Sequence, residues 1–228
     1  MMDRDSRLVA VAQALADPLR LAVLHHLMAG PSSVSQLMTA AGVEQSRLSN
    51  HLAVLRERSL VRTTRHGRQM IYELHDAAVA RLVESLGQIG AAPAPTVASA
   101  PIAHARTCYD HLAGHLGVQL FAALVARGGL QAPGQVPGDV VLGSRGERVF
   151  SALRVDVAAA RRERRRFATA CLDWTERRPH LGGALGAAVW AELVSRGWIV
   201  RRSGSRAVVL TPAGARGLKR TLGTTVGR

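Results

Sequence analysis

Between His111 and Leu130 the chain reads HLAGHLGVQLFAALVARGGL, and between His180 and Ile199 it reads HLGGALGAAVWAELVSRGWI. Ten of the twenty positions are identical. The echo continues in VVLGSRGER at 140–148 and VVLTPAGAR at 208–216. The only two cysteines, Cys108 and Cys171, each open a passage as Cys-x-Asp. Self-similarity of this kind marks a duplicated supersecondary unit. It predicts two copies within residues 102–228, at about 108–156 and 171–222. Each copy reads as a helix ended by Gly, a strand-like stretch and a further helix. The glycines of HLGGALG read as part of a helix rather than as a strand-to-helix turn. The second copy carries the extra residues WTERRP between its Asp and its His.

Upstream, GAAPAPTVASAP at 90–101 is rich in Ala and Pro and uncharged, the composition of a semi-rigid spacer. This predicts a domain over 1–90, a linker over 91–101 and a second domain over 102–228. Aromatic residues make up 4% of the chain, so the cores must be built from Leu, Val and Ala, which favours helices.

Residues 1–90 punctuate themselves. Asp17-Pro18 supplies an N-cap acceptor and a proline for the first turn, and Gly30-Pro31 stops that helix. Ser33 to Gln36 has capping-box spacing and opens a short helix to Ala41. After Gly42 a helix runs from about Glu44 to Arg58, with Leu48, Leu52 and Leu55 on one face. LVRTTRHGRQMIYEL at 60–74 alternates around His66-Gly67 as a hairpin does. Asp76 can cap a last helix, 77–89, with a long apolar stripe. The order helix, tight turn, polar-faced helix, basic hairpin is a winged helix-turn-helix.

LADPLRLAVLHHL together with VEQSRLSNHLAVLRERSLVRTTRHGRQMIYEL resembles the ArsR/SmtB family of bacterial transcriptional repressors, over nearly all of residues 6–89. The expected fold is mainly α with β-hairpin wings (α+β): an N-terminal winged helix-turn-helix and a C-terminal domain of two duplicated winged-helix-like units. An extended C-terminal domain of this kind is known in some ArsR-type regulators. The resemblance implies a homodimer formed by the first helix and the helix after the wing. It also implies a palindromic double-stranded DNA operator. Two cysteines in 228 residues make no disulfide scaffold, which predicts a cytoplasmic protein with reduced thiols. A recognition helix presents its N-terminal part to the major groove, which places Gln45, Ser46, Arg47, Ser49 and Asn50 as readers of base edges. His51 would meet phosphate or pack near the backbone. Arg62, Arg65, His66 and Arg68 would set the wing on phosphates or in the minor groove.

Two metal sites known in the family are absent as patterns. One needs paired cysteines before the recognition helix, where PSSVSQLMTAAG has none. The other needs Asp and His ligands along the dimer helix, where His75, Asp76 and Glu84 lack a second His. His25 and His26, adjacent on a helix, read as surface. DNA binding itself is expected to require no cofactor.

A signal is therefore expected to enter through residues 102–228, and the candidates are Cys108, His111, His115, Cys171, Asp173 and His180. If a helix starts early enough, Cys108, His111 and His115 share one face at i, i+3, i+7. Thiolates with imidazoles suit a soft or borderline ion such as Zn, Cu or As(III). A redox disulfide between the two cysteines is the alternative, and two small buried cysteines in similar cores is the plainest reading. Trp174, Trp190 and Trp198 line a small-molecule pocket or belong to the core.

The formal net charge is +14. Residues 1–90 hold 10 basic and 8 acidic residues, against 20 and 8 in the remainder. ARRERRRF at 160–167 either tracks phosphates or is a solvated face. That excess keeps open a different function, an architectural or nonspecific DNA binder acting through its basic C-terminal half. No run of 18 apolar residues suggests a membrane span. No phosphate loop, nucleophile elbow or carboxylate pair suggests an enzyme.

Overall fold

The computed structural model describes residues 4–90, 101–202 and 205–223. The predicted linker, 91–101, lies outside the described residues except for Pro101. The chain divides into two compact units, Met1–Ala92 and Pro93–Arg228.

Unit 1 begins with α1 (Arg4–Leu15) and α2 (Pro18–Leu27). The Asp17 carboxylate accepts from the Arg20 N–H and caps α2. A two-residue strand, β1 (Ser32–Ser33), leads into α3 (Val34–Ala41). The Ser33/Gln36 capping box forms in both directions. Gly42 ends α3, and α4 (Gln45–Glu57) follows two residues later. Leu48, Leu52 and Leu55 are buried, so the helix is held by that one face while its other faces stay polar. The hairpin β2 (Val61–His66) and β3 (Gln69–Leu74) pairs Val61 with Leu74 and His66 with Gln69. β1 adds to the far edge of β3. α5 (Ala77–Ile89) starts where Asp76 accepts from the N–H groups of Ala78 and Val79. This is a winged helix-turn-helix.

Unit 2 opens with α6 (Pro101–His104), the hairpin β4 (Arg106–Cys108) and β5 (His111–Ala113), and α7 (Gly114–Ala126). β6 (Gly138–Asp139), α8 (Gly146–Ala152) and α9 (Val157–Arg162) follow. A second hairpin, β7 (Thr169–Leu172) and β8 (Pro179–Gly182), leads straight into α10 (Gly183–Ser195). The unit closes with β9 (Ile199–Arg201), β10 (Val208–Leu210) and α11 (Pro212–Leu222). One core joins the two halves. Leu116, Leu120, Phe121 and Leu124 of α7 are buried with Leu185, Val189, Trp190 and Leu193 of α10.

The halves interlock rather than sit side by side. α7 packs over β8, α10 packs over β5, and β5 lies beside β8. The backbone repeats the exchange: Val208 N–H donates to the Ala105 carbonyl, and Val140 N–H donates to the Ala168 carbonyl. β10 and the residue that follows β6 thus each bond the residue just before the other half's hairpin.

The expectation of one helix carrying Cys108, His111 and His115 is corrected. Cys108 and His111 face each other across β4 and β5, and only His115 is helical. Likewise Cys171 faces His180 across β7 and β8. The glycines of HLGGALG do form a strand-to-helix turn, contrary to the sequence expectation. Gly114 and Gly183 begin their helices at φ +77° and +76°, where a side chain is strained. A Cβ at either would also meet a backbone carbonyl oxygen at 2.8 Å. The second half has a true β9–β10 hairpin, whereas its counterpart in the first half shrinks to a single bridge, Leu130 to Leu142. The three Trp side chains are core residues, each with an arginine over its ring: Arg106 on Trp174, Arg201 on Trp190 and Arg196 on Trp198.

Candidate functional sites

On α4, Gln45, Ser46, Arg47, Ser49 and Asn50 are all exposed. They cover the faces that Leu48, Leu52 and Leu55 do not. His51 does not join them. Its Nδ1 lies 3.3 Å from Asp17 Oδ1 at the start of α2, without hydrogen-bond geometry, and pairs with it when protonated. On the wing, Arg62, Arg65, His66 and Arg68 are exposed. Arg62 is held 3.0 Å from Glu73 across the hairpin, and Arg65 donates to the Gly67 carbonyl. The wing tip therefore presents three cationic or protonatable side chains on a short turn. His25 and His26 are half-buried rather than free surface. Burial lowers the His25 pKa, and His26 shares a hydrogen bond of 3.1 Å with Ser32.

In unit 2 the interlock brings Cys108, His111 and His180 together, with their potential ligand atoms all within 4.8 Å of one another. The His111 and His180 rings stack at 5.2 Å. Cys171 reaches the same place. The position that a Cβ on Gly182 would occupy lies 2.7 Å from Cys171 Sγ and 3.1 Å from His111 Nε2. No disulfide joins the two cysteines. His111 is 6% exposed and His180 1%. Nε2 of His111 and both ring nitrogens of His180 are buried without a hydrogen bond of good geometry.

The Asp of each Cys-x-Asp stands behind the histidine of its own half. Asp110 Oδ1 is 3.3 Å from His111 Nδ1, and Asp173 Oδ2 is 3.6 Å from His180 Nδ1. Burial pushes the His111 pKa down, but Asp110, Cys108 and Cys171 outweigh it and raise it to about 11. Burial and the neighbouring His111 cation lower His180 to about 3, against the pull of Asp173. His180 is therefore neutral.

Two of the candidate residues lie outside this cluster. His115 turns its Nδ1 to Glu176 at 3.1 Å and its Nε2 to Gln119 at 2.7 Å. Asp173 is fully buried and is an anchor: it pairs with Arg106 at 2.8 Å and accepts from Gly114 N–H, from Thr175 N–H and O–H, and from Glu176 N–H. The arginine run is partly spent inside the unit. Arg165 pairs with Asp110 and Glu163, Arg166 with Asp139, and Arg161 lies over Phe167.

Comparison with known proteins agrees with the fold of unit 1. The model for bacterial regulatory proteins of the arsR family matches residues 17–63. An uncharacterized HTH-type transcriptional regulator of Bacillus subtilis (strain 168), YdfF, is 37% identical over 212 residues, which is 90% of this chain and 92% of that one. The chain belongs to the ArsR family. Its likeness to YdfF runs through both units, so the second unit is shared with that relative. A biofilm growth-associated repressor of Agrobacterium fabrum is 37% identical over 93 residues, 41% of this chain and 80% of its own. A solved structure, the homodimeric winged helix-turn-helix DNA-binding domain Mb0332 from Mycobacterium bovis, is 32% identical. It covers 40% of this chain and 87% of its own, with a TM-score of 0.36.

Sequence reasoning missed Arg106, the largest fully buried side chain among the described residues of this ArsR-family regulator, and the place of Asp110 behind His111. Arg106 gave no signal, since its partner stands 67 residues away. Asp110 did, because Cys-x-Asp occurs twice. The repeated Asp was itself a reason to look for one job done twice.

Proposed function

We propose that this ArsR-family regulator is a homodimeric repressor that binds a palindromic operator through unit 1 and is released by a signal received in unit 2. The observation that carries the reading is the exposed N-terminal half of α4, where Gln45, Ser46, Arg47, Ser49 and Asn50 form one polar face next to a basic wing. Arg47 suits a guanine edge, and Gln45 or Asn50 an adenine edge. Arg65, His66 and Arg68 supply sequence-independent phosphate contacts. His51, held by Asp17, would position the helix rather than read DNA. The exposed apolar side chains Leu8 and Val9 on α1 and Leu86 and Ile89 on α5 supply the surface that a second copy would cover. Unit 2 is best read as a duplication, because the same hairpin, glycine turn and helix recur in the same interlocked relation.

The test is binding to the DNA upstream of the chain's own gene, against random DNA of equal length at a stated salt concentration. Arg47→Ala and Asn50→Ala should each weaken operator binding by about 5- to 150-fold, the worth of one bidentate base contact, with little change on random DNA. Equal affinity of the wild type for both DNAs would overturn the reading in favour of an architectural binder. The arginines already committed to Asp110, Glu163 and Asp139 support the operator reading over that alternative.

A further inference from the structure

We propose that Cys108, His111, Cys171 and His180 form a buried site for one soft or borderline metal ion, of the zinc(II) class, held between the two halves of unit 2. The proposal deepens the reading of unit 2 as the regulatory part and rests on that reading for its biological consequence, though not for its chemistry.

Three observations carry it. The first is convergence. The cluster draws one Cys and one His from each half of the unit, on strands that become neighbours only because the halves interlock. The 4.8 Å spread among Cys108, His111 and His180 closes to ligand spacing with an inward shift of about 1 Å, given metal–sulfur and metal–nitrogen bonds of about 2.3 and 2.0 Å; Cys171 stands outside that triad, next to His111, and completes the tetrahedron by a larger inward movement. The second is the unmet hydrogen bonding. Nearly all buried ring nitrogens find a hydrogen-bond partner, yet Nε2 of His180 has none, its Nδ1 has only Asp173 at 3.6 Å, and beyond Asp110 the His111 ring meets only the two cysteine thiols. The third is the pair of aspartates. A carboxylate behind the far nitrogen of a metal-binding histidine fixes the ring and strengthens it as a ligand. Asp110 and Asp173 occupy that place for His111 and His180 respectively. Gly182 completes the arrangement, since any Cβ there would crowd Cys171 Sγ and His111 Nε2.

The donor set states the ion class. Two thiolates and two neutral imidazoles favour zinc(II), copper(I) or a similarly soft ion over magnesium or calcium, which need oxygen ligands. Four protein ligands close the coordination sphere, as in structural and sensing sites rather than catalytic ones. Binding releases the thiol protons, and any proton held by His111, to the buffer.

The test uses the full chain, reduced and stripped of metal with a chelator. Zinc(II) is titrated in competition with a chromophoric chelator, and cobalt(II) serves as a spectroscopic probe. One equivalent per chain should bind, and cobalt should show tetrahedral d–d bands with a thiolate charge-transfer band. Cys108→Ser and Cys171→Ser should each lose at least tenfold in affinity and most of the thiolate band. Asp110→Asn leaves all four ligands in place and should lose about 10- to 100-fold. His115→Ala, outside the cluster, should bind as the wild type does. Thermal unfolding of each metal-free variant establishes that it is folded. The proposal is overturned by the absence of saturable binding, by a cobalt complex without thiolate bands, or by serine variants that are folded and bind normally. Operator binding is measured on the same samples. Metal binding without operator binding sinks the repressor reading alone, and operator binding without metal binding sinks this proposal alone.

Discussion

Replacing Asp173 by Asn should be among the most damaging isosteric changes in unit 2. The Asp173 carboxylate is fully buried and Arg106 is 1% exposed. Their 2.8 Å separation is worth about 6 kcal/mol at an effective dielectric near 20. Desolvation of the two ions costs several kcal/mol each, so the intact pair contributes little net stability. Removing one partner is another matter, because it strands a buried charge at a cost of about 3–5 kcal/mol. The two possible deletions are unequal. Without Arg106, Asp173 keeps four donors: Gly114 N–H, Thr175 N–H and O–H, and Glu176 N–H. Without Asp173, Arg106 keeps only the Ile102 carbonyl and the Thr175 hydroxyl oxygen, while the first N–H of α7 loses its acceptor. An Asn in either orientation turns its NH2 toward one of these sets of donors. Asp173→Asn should therefore lie at the upper end of the range and Arg106→Met at or below the lower end. The double variant should cost at least 1 kcal/mol less than their sum. Urea unfolding of the full chain, followed by the fluorescence of Trp174, Trp190 and Trp198, reads the loss where it occurs, since all three tryptophans belong to unit 2. Additive single effects, or a loss below about 1 kcal/mol for Asp173→Asn, would refute the account of this pair.

Other parts of the molecule yield sharper single measurements. Gly183→Ala combines a strained φ with a Cβ 2.8 Å from a carbonyl oxygen, and should lower unit 2 stability by about 2 kcal/mol or more in the same urea assay. Ser33→Ala removes a complete capping box and should cost unit 1 about 1 kcal/mol, seen in far-ultraviolet circular dichroism. The pKa of Asp17 lies below its ordinary value of 3.8, chiefly because its carboxylate accepts the Arg20 N–H. A depressed carboxylate stabilises the fold above its unfolded pKa and ceases to do so as pH falls through its folded value. The stability gap between wild type and Asp17→Asn should accordingly be constant near neutrality and shrink below about pH 4. Leu86→Lys with Ile89→Lys should turn a dimer into a monomer in sedimentation or light scattering, while unit 1 keeps its circular dichroism. Arg68→Ala should weaken binding to all DNA sequences alike and reduce the salt slope by about 1.

Unit 1 was legible because its signals are local. Asp17-Pro18, Ser33 with Gln36, Gly42 and Asp76 each act within three or four residues of themselves. The burial of Leu48, Leu52 and Leu55 follows from helical spacing alone. His51 escaped this reading because its partner, Asp17, is 34 residues back in the chain and the helical pattern says nothing about which polar face is taken. Unit 2 shows the opposite balance. Its repetition was plain, but HLAGHLG and HLGGALG look helical throughout, with no β-branched residue to mark the strand that begins them. Taking that helix at face value put Cys108, His111 and His115 on one face. In fact a two-residue turn sets Cys108 against His111, and His115 goes elsewhere. The cue that argued for the turn was the glycine shared by the two copies at 114 and 183, each at a φ of +76° or more. A residue that side chains resist, placed at the same point twice, marks a break in backbone direction rather than a step along a helix. No local cue could have shown that His111 and His180 meet. That meeting is a product of exchange: each half lays its helix on the other, so the two equivalent histidines are brought to one place by the symmetry of the fold. The repeated sequence makes the cysteines recur, but repetition alone does not call for two buried imidazoles with a thiol beside each and a carboxylate behind each. A shared ligand for the four side chains would account for both.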